Sequence, residues 1–499
     1  MRKKYFYCFT LILILAGSYN CFAQEKIEGK ALQEDIRVIE DLIKGYSLKL
    51  SKEEISNLEK LVSKHEKVLA NEAFTAMEFF NYLILIDWNT QFDEHASISI
   101  GEEVLLPLLE SSKLFPIPIK ILESKIVVNS EDVEIPFCSI LHSINGISFD
   151  SLFNKIIGVP MDSFYRRTLE RQFSILYLIK KGSINDFTIA YSTINAPDKR
   201  VEKTVSGVGF NKYREVFDNV TFPSSKNKLI ETAHYPNTHT FMLQLNSFDW
   251  GKNEKSGLFG FMTANSKLFD KKFKKIFKEI SKKDIQNLVI DLRYNTGGII
   301  EVPGLLYKYI ALEAFEEDAT LEIRSFDLPH MELIKEISGV PIEKIAQVKG
   351  LLSRYEKKFI KSDSTYVWET WQNKITQPAK NAFKGQVYLL VGGKSISSSA
   401  YFTALFKSKK RGIIIGDKLG GSHKALTAGQ LLTYQLPNSK INITVPLMLL
   451  NFSKQLYEQV PEEKIIPESQ LSEQEKLNYF INKKDGEFEK VVEMIGELE

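Results

Sequence analysis

Five residues, Ser395-Ile396-Ser397-Ser398-Ser399, follow an apolar run from Val387 to Val391 and lead into a stretch from about Ser398 to Phe406 that suits a helix. A hydroxyl at such a strand-to-helix junction sits where the first helical N–H groups point outward and the positive end of the helix dipole favours developing negative charge. That is the setting an acyl-transfer nucleophile needs. The same serines could instead do no more than cap the helix. A second segment, Asp291-Leu292-Arg293-Tyr294-Asn295-Thr296-Gly297-Gly298, closes another apolar run with a glycine turn. Its backbone donors could reach the end of a sheet at which open α/β folds bind ligands, or the glycines could serve the turn alone. On these residues by themselves both uses of both segments stand open.

Such segments need a sheet to hold them. Phe241 to Leu245, Asn287 to Leu292, Val387 to Val391 and Ile413-Ile414-Ile415 read as strands, and Phe269, Phe273, Ile276 and Ile280 mark one face of a Lys-rich helix. Strands alternating with helices predict a parallel or mixed sheet with crossovers, hence a chain of the α+β or mixed α/β class. Leu321 to Ala382, rich in Lys, Glu and aromatic residues, interrupts the alternation and reads as an insertion over one face of the sheet. Ahead of this core, Ser51 with Glu54 makes a capping box, and Ile55, Leu58, Val62 and Leu69 follow at helix spacing. Residues 24–110 are therefore expected to be a helical domain. From 111 to 207 the periodicity turns to strands, with Asn145-Gly146 as a tight turn, which predicts a β-rich module. Residues 208–228 read as a linker, 229–470 as the core with its insertion at about 321–382, and 471–499 as a helical tail.

The composition removes other classes. With 499 residues, 43% hydrophobic and 26% charged, the chain is globular and large enough for two or three domains. A balance of 65 Lys+Arg against 63 Asp+Glu offers no basic excess for nucleic acid. Three Cys and seven His fall at no metal-ligand spacing, so neither a metal nor an organic cofactor is implied. Arg2, Lys3 and Lys4 before the apolar run Leu11 to Leu15, with Cys21-Phe22-Ala23 ahead of Gln24, form a secretory leader over residues 1–23. Cleavage after Ala23 turns the net charge from +2 to −1 and leaves Cys138 as the single cysteine, so no intrachain disulfide forms. Cys21 is the alternative, a lipid-anchoring residue, which the bulkier Tyr19 and Asn20 disfavour. The rest of the chain has no apolar stretch of about 20 residues, and a mature protein in the periplasm or outside the cell is expected.

Asn287 to Arg293 with Asn295 and Gly297-Gly298 resembles the Asp-Leu-Arg-x-Asn-x-Gly-Gly signature of the C-terminal processing (tail-specific) serine peptidases, and Val391 to Ser399 resembles that family's nucleophile strand and elbow. The segment order is similar as well. A helical cap comes first, then a module that resembles a PDZ domain through Ser143-Ile144-Asn145-Gly146, then a core ending in Lys464-Ile465-Ile466-Pro467-Glu468. The resemblance implies a ClpP/crotonase-like mixed-sheet core and a serine-type peptidase. By position it makes Ser397 the nucleophile and gives the oxyanion hole to the N–H of Ser398 with one from Gly297 or Gly298. Thr296 replaces a usual Gly, which leaves the turn donor open.

The general base departs from the Ser-Lys pattern. The family's loop Lys aligns with Ser422, so Lys424 is an alternative base only through a two-residue slip, and it would need burial to bring its pKa from about 10 to near 7. The tricorn-like branch takes its base from a His ahead of the PDZ-like module, and Asp93-Glu94-His95-Ala96-Ser97 is similar to that segment. An imidazole accepts a Ser proton near neutrality without a large shift, so the resemblance implies His95 as base. It implies Glu458 as the acidic partner, with Glu462 and Glu463 as neighbours of the same landmark. The function implied is an exported serine endopeptidase whose peptide or protein substrates are recruited by the PDZ-like module through their C-termini. Two other readings stay open: a catalytically inactive peptide-binding paralogue, and an apolar-ligand carrier.

Overall fold

The computed structural model describes residues 25–46, 48, 51–85, 96–122, 124–153, 163–218, 220, 228–249, 257–338, 340–422, 425–452, 454–460 and 465–497. The leader with Cys21 lies outside these residues, as do His95, Lys424, Glu462 and Glu463.

The core sheet has five strands in chain order: β1 (Ile230–Tyr235), β2 (Thr240–Leu245), β3 (Asn287–Asp291), β4 (Gln386–Val391) and β5 (Ile413–Gly416). β1 pairs antiparallel with β2, and β2 to β5 run parallel. Parallel neighbours need long crossovers, and α1 (Gly257–Ile280) and α2 (Ser398–Ser408) lie in two of them. Successive strand residues face opposite ways. Leu243, Leu288, Ile290, Val387 and Leu389 join the large core with Phe269, Phe273 and Phe277 of α1. Met242, Val289, Tyr388, Leu390 and Ile415 meet Val491 and Ile495 of α3 (Gly486–Gly496) in a smaller cluster. Both faces are buried, which is why the strands read as continuous apolar runs rather than alternating ones.

The stretch read as an insertion builds part of a second sheet. Phe315–Ile323 pairs antiparallel with Thr365–Thr376 on one side and with Asn442–Phe452 on the other, and Asn442–Phe452 pairs in turn with Ala425–Gln435. Strands before and after the serine elbow thus share one eight-stranded sheet. Leu321, Ile334, Leu432, Val445 and Leu450 of that sheet belong to the same large core as the parallel strands. The N-terminal helices Gly29–Tyr46, Lys52–Leu69 and Ala76–Leu85 add Leu32, Ile36, Leu58 and Phe79 to it. Ser51 and Glu54 form the capping box, Glu54 N–H to Ser51 Oγ at 3.2 Å and Ser51 N–H to Glu54 Oε2 at 2.7 Å. Buried Asp35 ties the first helix to the second sheet's turn, accepting the N–H groups of Asn438 and Ser439 at 3.1 and 2.8 Å.

A third sheet, of six strands, orders Ile119–Leu122, Lys125–Val128, Ile140–Ile144, Asp186–Thr193 and Ala196–Ser206, with Ile147–Ser148 beside the third. Its own core gathers Phe115, Ile119, Ile121 and Phe187 with Leu169, Phe173 and Tyr177 of the helix Ser163–Lys181. Asn145 and Gly146 both take positive φ, 50° and 74°, as a two-residue hairpin turn requires.

Asp291 and Arg293 of the sequence signature do structural work on the far side of the core sheet. The buried Arg293 guanidinium donates to Asp291 at 2.7 and 3.0 Å, to Asp485 at 2.6 Å through both terminal nitrogens, and to Glu487 at 2.9 Å. Asp485 is also the N-cap of α3, accepting from Phe488 N–H. The three carboxylates around it hold the guanidinium pKa above its ordinary value against the burial that would lower it. Replacing Arg293 by Met leaves Asp291 buried and unpaired, which is expected to cost about 3–5 kcal/mol. Hydrogen exchange should then rise first across residues 486–496; unchanged protection there would show that the network does not hold α3.

Candidate active site

β4 ends at Val391, and the chain turns through Gly392, Gly393 and Lys394 into α2. Ser395 makes that turn rigid. Its N–H reaches Gly392 O at 2.8 Å, its Oγ accepts Gly392 N–H at 3.1 Å, and the same Oγ donates to Leu292 O at 2.8 Å, joining the elbow to the end of β3. Ser395 is fully buried and its hydroxyl is engaged. Ser398 and Ser399 are also fully buried, with no hydroxyl partner among the described residues. Ser397 differs from all three. It is only half-buried, it occupies the N-cap position of α2 without a side-chain capping bond, and it holds φ 54°, ψ −132°. A non-glycine residue in that region carries strain of about 1–3 kcal/mol that the surroundings must hold.

The surroundings are glycines. Gly297 takes φ 91°, and a Cβ built on it would lie 2.7 Å from Ser397 Cβ and 3.1 Å from Ser398 N. From the opposite loop, a Cβ on Gly421 would lie 2.8 Å from Ile396 Cα and 3.1 Å from Ser397 N. Asn295, buried, shapes the first turn by accepting Gly297 N–H at 2.8 Å, while Phe248 N–H donates to Gly297 O and Ile299 N–H to Phe248 O. The Gly297 amide is therefore occupied within its own loop. Gly298, in a parallel bridge with Phe248, keeps its own N–H outside that pair of bonds. The Ser398 amide is the first of α2, where no intrahelical acceptor exists.

Lys394 is a residue that sequence reasoning passed over. Its Nζ donates to Thr168 Oγ1 at 2.6 Å, across to the helix Ser163–Lys181. Burial, with the Arg171 charge nearby, pushes its pKa down to about 8. No pattern marks it, because its partner is more than 200 positions away in sequence. Glu458 lies exposed on the short helix Lys454–Gln459. The Pro467-Glu468 landmark docks on the edge strand of the core, Ile414 N–H to Glu468 Oε2 at 2.9 Å. Ser397, Ser398 and Gly297 thus come together, Gly298 being the next residue of the same turn and packed on Phe248, whereas both candidate bases, His95 and Lys424, lie outside the described residues. Among the described residues no group of three His, Cys, Asp or Glu side chains is placed to hold a metal, and no helix is long and apolar enough to cross a membrane.

Residues 242–326 and 330–453 match the family model described as Peptidase family S41. Among solved structures, mature CPAF has 14% identity over 94% of this chain and 96% of that chain, with a TM-score of 0.60. Mature CPAF complexed with lactacystin has 14% identity over 94% of this chain and 98% of that chain, with a TM-score of 0.58. At such identity the likeness is one of fold. No curated protein matches the chain.

The lowered Lys394 pKa makes a stability prediction with a definite sign. Between about pH 8 and its ordinary 10.5 the unfolded chain binds the proton that the folded chain has lost, so folding gains from this residue as pH rises through that window. Relative to Lys394→Met, the wild-type thermal midpoint should improve from pH 8 to pH 10. A difference that stays flat would mean the folded-state pKa is not lowered.

Proposed function

From a core that belongs to peptidase family S41, and so to the serine-type peptidases, we propose an exported endopeptidase in which Ser397 is the nucleophile. Its Oγ attacks the scissile carbonyl while the base takes the hydroxyl proton and returns it to the leaving amine. A water activated by the same base then hydrolyses the acyl-enzyme. The tetrahedral oxyanion is held by the N–H of Ser398 and that of Gly298, Gly297 being occupied by Asn295. His95 is the base, with Lys424 as the alternative and Glu458 as the acidic residue that orients the machinery. The leader supports export, and the third sheet serves as a PDZ-like module that recruits peptide ends.

A single observation carries this reading. Of the serines at 395, 397, 398 and 399, Ser397 is the one with surface exposure, without a capping bond and at positive φ, wedged between the Gly297 turn and Gly421. A capping serine would show extended backbone and a bond to the amide two or three residues on.

The nucleophile is tested by Ser397→Ala, expected to abolish hydrolysis of an unfolded protein substrate and labelling by a fluorophosphonate while leaving the thermal midpoint nearly unchanged; turnover at the wild-type rate would sink the assignment. The base is tested by assaying His95→Ala and Lys424→Ala side by side. With His95 as base, kcat/KM should rise through an apparent pKa of about 6–7 and His95→Ala should lose about 10²–10⁴-fold, Lys424→Ala remaining mild. Full activity in His95→Ala with loss in Lys424→Ala reverses the choice.

A further inference from the structure

We propose that the outward face of α1 is a docking surface for an anionic phospholipid bilayer. Phe269, Phe273, Ile276, Phe277 and Ile280 of this helix are buried in the large core. At about 100° per residue, the exposed Lys267, Lys271, Lys274, Lys275 and Lys278 fall within an arc of about 100° on the opposite side, and the exposed Lys282 continues their line in the turn that follows. From Lys267 to Lys282 the stripe runs about 20 Å. The two acids of this segment stand at its margins with their charges already answered: Asp270 pairs with Lys308 at 2.5 Å, and Glu279 with Lys283 at 2.8 Å. None of the six stripe lysines is ion-paired with a carboxylate among the described residues.

A helix face that only has to be solvated mixes acids with bases, because like charges four residues apart repel. Here Lys267, Lys271 and Lys275 stand four apart in series, and so do Lys274, Lys278 and Lys282. Each repulsion destabilises the free helix, and an anionic surface relieves it. The charge is also concentrated: residues 267–283 carry eight Lys against Asp270 and Glu279, whereas the rest of the chain carries 57 Lys+Arg against 61 Asp+Glu. Ammonium groups on the outside of a convex helix diverge, so they do not gather around one phosphate or carboxylate; they suit a plane of many headgroups. A protein partner calls for exposed apolar or aromatic side chains and is poorly matched by Lys, and α1 exposes no large apolar side chain among those described. A wrapping polyanion would meet the mildly acidic remainder of the chain, whereas a flat bilayer meets the stripe alone. Because the core already occupies the apolar side of α1, attachment is electrostatic, reversible and sensitive to salt.

The test uses residues 24–499, which hold every element described above, since the basic and apolar leader would bind lipid by itself. Sedimentation with vesicles of phosphatidylcholine alone, and with about 30% phosphatidylglycerol added, should show at least about tenfold tighter binding to the anionic vesicles at about 50 mM salt, lost at about 500 mM. Lys271→Gln, Lys274→Gln and Lys278→Gln together should weaken that binding about tenfold or more, with a thermal midpoint equal to or above the wild type because repulsion along the helix is relieved. Removing the same charge elsewhere, through Lys349→Gln, Lys357→Gln and Lys361→Gln at exposed positions, should change binding less than about twofold. Equal binding to the two kinds of vesicle, or an equal loss in the two triple variants, overturns the inference. So does retention on heparin that the stripe variant loses, without binding to anionic vesicles, because the stripe then serves a soluble polyanion.

Discussion

The arrangement at the carboxyl end of the core sheet depends on how closely two loops approach each other. The turn after β3 passes so near the elbow after β4 that a methyl group at Gly297 would overlap Ser397. The loop after β5 crowds the other side through Gly421. Ser397 has no relaxed backbone conformation in that space, and it adopts the positive φ that packing from both sides enforces. The hydrogen bond from Ser395 Oγ to Leu292 O fixes the separation of the two loops, so the strain is held by a fully buried contact rather than by a mobile surface.

That contact is only as firm as the sheet beneath it. β3 and β4 are the second and third of four parallel strands and are buried on both faces, one by the large core and one by α3. α3 brings only a handful of apolar side chains, and its attachment is completed by Arg293, whose guanidinium satisfies Asp291, Asp485 and Glu487 together. Buried ion pairs are poor sources of net stability, but they are exacting about geometry, since each unsatisfied charge is costly. The signature segment therefore acts in two directions. Asp291 and Arg293 lock the C-terminal helix beneath the sheet, and Asn295 and the glycines shape the turn above it.

What could be read from the sequence was what is local. The Ser51–Glu54 capping box, the Asn145-Gly146 turn and the buried strands are set by residues within a few positions of one another, and the structure contains each of them. The mixed α/β class follows from the same strands. The stretch from 321 to 382 reads as a surface insertion because its strands find their partners outside it, Thr365–Thr376 on Phe315–Ile323 and Ile334–Ile337 on residues 432–434, and composition does not show those partners. Glu170 on the Ile121 amide, Lys394 on Thr168 and Asp485 on Arg293 are contacts that single side chains make with groups 49 to 226 positions away, and no periodicity announces them. The roles within the signature were invisible for a related reason: a motif shows which residues travel together, not which face of a sheet each one serves.

The same geometry bears on where the proton of Ser397 can go. Within the elbow the polar groups nearest in sequence are engaged elsewhere or buried: Ser395 on Leu292, Lys394 on Thr168, Ser398 and Ser399 under the surface of α2. In the facing turn the Asn295 side-chain oxygen already accepts Gly297 N–H. Both loops therefore offer donors, which suit an oxyanion, and withhold acceptors, which a hydroxyl proton needs. A base has to enter from a third element, on the exposed side of Ser397. On the proposed mechanism that division favours a base from the helical region ahead of the third sheet, or from the loop after β5, over any residue of the elbow itself, and this is the physical content of the choice between His95 and Lys424.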